Sequence, residues 1–269
     1  MALFALILVT ANLLIRPSEL YQPLEAVSPY ELSILLLFCF SFQTLLPQFQ
    51  GPSLERAPLT STFLIYFASM ILCHLGNAQT QEAFDLFTEM VKMMLYYFLM
   101  VGTLTSKPKF ITFLKWTTLS VGCSVLAAFL HLWHYFEIPG QENLIGEGGV
   151  RMGGTGLFKD PNDFAALAAS FMPISMYFAL RKNTMFLFRA FWLWLTFFFF
   201  QAIQGSGSRG GLVACFAGFF GFALSKFGLK GLLILPLIPI SLVLMGGRQG
   251  DMSTSSGTGQ IRIQLQLDG

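Results

Sequence analysis

The sequence predicts an all-α fold, a polytopic transmembrane bundle of about nine helices, and three observations carry that prediction. Apolar residues make up 54% of the chain, charged residues only 11%, and phenylalanine occurs 30 times. A soluble domain covers its surface with about a quarter charged residues, so this composition excludes one. The apolar residues also fall in blocks, and crossing the hydrocarbon takes roughly 17–25 helical residues. Between the blocks, lysine and arginine gather in alternate loops, as a cytoplasmic excess of positive charge demands.

The first block, 1–15, opens at Met1 without a basic leader or a small-residue cleavage site, and reads as a retained helix. Further blocks follow at 30–47, 59–75, 83–104, 110–133, 161–180, 186–204, 209–226 and 229–246. Pro17, Pro29, Pro47, Pro58 and Pro108 mark the early boundaries, because proline lacks the N–H a continuing helix needs. Pro236 and Pro239 lie inside the ninth block and predict a kink, which a bundle tolerates. The phenylalanine run at 197–200 is lipid-facing or packing material. The expected organisation is one bundle over 1–246, then 247–269 as the start of a truncated periplasmic loop.

With the N-terminus in the cytoplasm, Arg56, Lys107, Lys109, Lys115, Arg181, Lys182, Arg189, Lys226 and Lys230 all fall inside. Every acidic residue except Glu55 then falls outside. Three outer segments stand out: the loop from His134 to Asp160, the turn from Gln204 to Gly211, and the polar tail from Gly246.

In the turn, Ser208, Arg209 and Gly210 sit at the mouth of an apolar helix. Flanking glycines expose N–H groups and the helix N-terminus adds partial positive charge, which together suit phosphate or pyrophosphate. Arginine grips such an anion with two N–H groups at once. A tight turn with a snorkelling arginine fits the same residues. In the loop, Arg151 precedes a glycine-rich stretch whose backbone is free to approach a bulky ligand. Asp160, Pro161 and Asn162 then make a helix start, with Asp160 as the cap and proline at the first helical position. Lys159 adds positive charge there, although a surface loop with ordinary capping also explains it.

His131 and His134 have metal-like spacing, but Trp133 and Tyr135 make an interfacial aromatic belt the better reading. Lys92 is an intramembrane candidate that Glu89, three residues earlier, explains as well by a local ion pair. The cysteines at 39, 73, 123 and 215 are far apart and read as small buried hydrophobes. No P-loop, zinc motif or basic nucleic-acid patch occurs, so neither cofactor, metal nor nucleic acid is expected.

Three features in order resemble the O-antigen ligase and polymerase superfamily, bacterial inner-membrane glycosyltransferases that use lipid-linked glycans. They are Arg151 with Gly156 and the Asp160-Pro161-Asn162 helix start; Ser208-Arg209-Gly210 two helices on; and Ser255 to Thr258 leading to Arg262. The resemblance covers most of the chain from about residue 60. It implies transfer of a glycan from a polyprenyl-pyrophosphate donor to a hydroxyl acceptor on a glycan, a lipid A core or a protein, at the periplasmic face. It also implies that Arg209 and Arg151 stabilise the departing pyrophosphate, with Ser208, Gly210, Asn162, Lys159 and Arg262 contacting substrate. Members continue through a longer loop bearing a histidine. This chain has none after His134, so no general base is assigned and a C-terminally short member is expected. The competing expectation is a transporter or channel for a small anion such as bicarbonate. A non-catalytic scaffold subunit is a third.

Overall fold

Proline and small polar residues set the helix starts. The computed structural model describes residues 1–21, 23–24, 28–44, 58–77, 79–135, 145–146, 149–182 and 184–228. Among these, the α-helices are α1 (Ala2–Ile15), α2 (Pro17–Leu20), α3 (Pro29–Ser41), α4 (Pro58–Gly76), α5 (Thr80–Thr103), α6 (Lys107–Leu132), α7 (Pro161–Ala179), α8 (Phe186–Ser206) and α9 (Arg209–Phe227). The first eight expected blocks all appear, most with edges within three residues. The third helix is shorter than expected, since the chain tightens to a 3-10 turn at Phe42–Thr44. The ninth block, at 229–246, and the tail carrying Arg262 lie outside the described residues. A two-residue antiparallel ladder, β1 (Ile145–Gly146) with β2 (Gly149–Val150), is an addition to the all-helical expectation.

The chain divides into two units, Met1–Ser120 and Val121–Gly269. In the first, α1 packs on α3 and α5 around Leu6, Val9, Leu37 and Leu99. Polar groups in this apolar setting are paired across helices, as a medium poor in alternative partners requires. Thr10 shares a hydrogen bond with the Tyr96 hydroxyl at 2.8 Å, and Ser41 with Thr103 at 3.2 Å. The Asn12 amide donates to the Pro29 carbonyl and to the Ser33 hydroxyl.

In the second unit α8 runs antiparallel to α7. Ser175 bonds Thr196 at 2.7 Å, and the Phe178 and Trp192 rings lie 4.9 Å apart. Helix α9 runs parallel to α7 and very close to it. A Cβ at Gly211 would fall on Ala165, and one at Gly218 would meet the Pro173 ring at 2.9 Å. Glycine at both positions is what lets the backbones approach. The second half of α6 closes on α8, where Phe129 stacks on Phe198 at 4.7 Å and Gly122 faces Leu195.

Helices α6, α8 and α9 are long and apolar enough to cross a membrane, and α1 and residues Thr60–Gly76 form shorter apolar helices. The outward faces are apolar too: Phe186 is 80% exposed, Leu187 74% and Phe197 58%. Such continuous exposed hydrocarbon is not tolerated in water. The same feature corrects one expectation. Cys215 is buried, but Cys39, Cys73 and Cys123 are exposed, because in this chain an apolar position points outward as readily as inward.

Candidate functional site

Two helix starts and one loop meet at a single end of the second unit. The sequence builds each start locally. Asp160 caps α7, its carboxylate accepting from the N–H groups of Asn162 at 2.7 Å and Asp163 at 3.4 Å, with Pro161 in the first turn. Ser208 caps α9, its Oγ accepting from the Gly211 N–H at 3.1 Å. Gly207, at φ +64°, ends α8 in the left-handed conformation that glycine adopts without strain, so the α8–α9 turn is very tight. Because α7 and α9 are parallel, their N-terminal ends lie side by side and their positive dipole ends add.

The Arg151 loop docks onto this turn. Arg151 Nε donates to the Ser206 carbonyl at 2.8 Å, and its Nη2 donates to Asn162 Oδ1 at 3.3 Å. One residue on, the Met152 N–H donates to the Gly205 carbonyl at 3.0 Å, and the Met152 side chain is buried against Gly205. Arg151 therefore ties its loop to the start of α7, 11 residues on, and to the end of α8, 55 residues on. It holds the α8 C-terminus through an orphan carbonyl and the α7 start through a side-chain amide. Among the described residues its Nη1 group has no hydrogen-bond partner.

The glycine-rich stretch departs from expectation. It is packed rather than left open for a ligand: the Gly154 N–H donates to the Phe158 carbonyl at 2.7 Å, and a Cβ at Gly154 would meet the Phe164 ring at 2.7 Å. Thr155 is fully buried. At position 154 a glycine is required because α7 presents Phe164 to the returning loop.

The structure thus gathers Arg151, Asn162, Ser208, Arg209 and Gly210 at one end, with Lys159 just before the α7 cap. Arg209 and Gly210 are exposed, Asn162 is exposed, and Arg151 and Lys159 are half-buried. Ser208 is only 2% exposed and its hydroxyl serves the cap, so it shapes the turn instead of facing outward. Asp160 and Asp163 lie in the same region and temper its positive charge. Arg262 lies outside the described residues. Sequence reasoning missed Ser206 and Gly205, which act through backbone carbonyls that no side-chain motif announces.

His131 and His134 belong to the C-terminal end of α6, beside exposed Trp133 and Tyr135. Among the described residues no cluster of three histidine, cysteine or acidic side chains is placed to hold a metal. Lys92 is exposed on α5. Compared with known proteins, the chain matches no family model, no curated protein and no solved structure.

Proposed function

We propose that the chain is an O-antigen-ligase-like glycosyltransferase of the bacterial inner membrane, a polytopic bundle with its N-terminus in the cytoplasm. It moves a glycan from a polyprenyl-pyrophosphate carrier to a hydroxyl acceptor at the periplasmic face, in cell-surface polysaccharide biosynthesis. The single observation that supports this reading is the meeting of Arg151, Arg209 and two parallel helix N-termini at one end of α7–α9. A departing pyrophosphate needs fixed positive charge where its own negative charge grows, and groups already held in place supply it without reorganising.

In this mechanism Arg209, exposed at the first turn of α9, and the outer edge of the Arg151 guanidinium face the pyrophosphate. Asn162 and the carbonyl of Ser206 orient Arg151, and Ser208 and Gly210 fix the turn that carries Arg209. As the acceptor hydroxyl oxygen bonds the anomeric carbon, the bond from that carbon to the carrier phosphate oxygen breaks, its electron pair stays on the phosphate, and the hydroxyl proton leaves to water.

The test is Arg209→Ala in cells lacking the native gene. The variant should remain in the membrane while polyprenyl-pyrophosphate-linked glycan accumulates as in the deletion. A level restored to that of the parent strain would refute the role of Arg209. Anion uptake into proteoliposomes that depends on Arg209 would instead favour transport. Against transport, the mid-helix polar pair Ser175 and Thr196 is mutually satisfied, whereas transporter sites gather at the midplane.

A further inference from the structure

The opposite end of the α7–α9 unit carries a charge pattern that the transfer reaction does not use. Arg181 and Lys182 follow α7, Arg189 lies in the first turns of α8, and Lys226 lies in the last turn of α9. The helix register brings them together. Across the antiparallel pair, Ser175 meets Thr196 and Phe178 meets Trp192, so Arg189 comes level with Arg181 and Lys182. Along the parallel pair, Ala165 meets Gly211 and Pro173 meets Gly218, which brings Lys226 level with Arg181. All four side chains are exposed.

No aspartate or glutamate occurs between Asp163 and Asp251, so this whole hairpin region offers those cations no carboxylate. Arg16 does find a carboxylate in the other unit, pairing with Glu19 at 2.8 Å. Immediately beside the cations stand Met185, Phe186, Leu187 and Phe188, all more than half exposed. Positive charge without internal counter-charge, bordering bare hydrocarbon, complements one kind of surface: a negatively charged head group on two acyl chains.

We propose that Arg181, Lys182, Arg189 and Lys226 form a docking surface for anionic phospholipid, phosphate against the cations and acyl chains along Phe186 to Phe188. The proposal rests on the membrane-spanning reading above, but not on the glycosyltransferase reading. Arginine contributes more than charge here, since its planar fork takes two phosphate oxygens together.

The test uses the full chain carrying Trp116→Phe and Trp133→Phe, so that fluorescence reports from α8, where Trp194 is 53% exposed and Trp192 is buried. It is reconstituted in phosphatidylcholine vesicles containing an equal fraction of either brominated phosphatidylcholine or brominated phosphatidylglycerol. Quenching should show an apparent preference of about fivefold for the anionic lipid, as expected for a head group engaging basic residues at the interface. Raising the salt should reduce that preference. Arg181→Gln with Lys182→Gln and Arg189→Gln should abolish it, while Arg181→Lys with Arg189→Lys should keep most of it. Equal quenching by both lipids overturns the docking surface and leaves the membrane reading standing. No quenching by either overturns both. A preference insensitive to salt in the unsubstituted cluster also overturns it, and that arm does not depend on the variants folding.

Discussion

Arg151 divides one guanidinium between a main-chain carbonyl and a side-chain amide, and a lysine has no equivalent of that fork. Arg151→Lys should therefore behave nearly like Arg151→Ala, each lowering stability by about 1–2 kcal/mol in thermal unfolding in detergent. A lysine variant as stable as the parent would show that the two bonds are dispensable. Removing the α7 cap, Asp160→Ala, should cost about 1 kcal/mol by the same measurement. Ser124 gives the opposite sign. Its hydroxyl is fully buried and is the one buried side-chain polar atom without a partner among the described residues. Ser124→Ala removes a desolvated group that bonds nothing, so stability should be unchanged or slightly raised.

At the scale of the helices, α7 and α9 stand or fall by what occupies position 211. A valine there must displace Ala165 and should destabilise by about 1–3 kcal/mol, with Ala165→Gly recovering much of the loss in the double variant. Strict additivity of the two changes would mean that the helices do not meet at that point. The starts of α7 and α9 were legible in the sequence because the signals are local: an Asp-Pro pair for one, and Ser208 after a glycine for the other. The turn at Gln204 to Gly211 was legible as a turn for the same reason. What joins these pieces was not. Arg151 and Ser206 are 55 residues apart, and the acceptor is a carbonyl that every residue possesses. The packing of the glycine loop is not legible in sequence, because Gly154 looks the same whether a ligand or Phe164 fills the space beside it. Periodicity could not help with outward-facing cysteines either, since both faces of these helices are apolar.

Within each unit the described residues carry hydrocarbon on the outside as well as in the core, and buried hydroxyls are paired with one another, a surface that suits lipid and not water. The whole molecule should stay with the membrane pellet through an alkaline carbonate wash, and release into the supernatant would contradict the bilayer reading. The docked loop has a further use as a clock. Trypsin must extract an arginine side chain into its own acidic pocket, and the Arg151 guanidinium is instead held against the end of α8. Cleavage after Arg151 should thus be slow in the intact protein and accelerate when Asn162→Ala loosens one of its two anchors. The lifetime of a single peptide bond then times how often the loop lifts away from the helix ends, in sealed vesicles and from whichever side the protease is supplied.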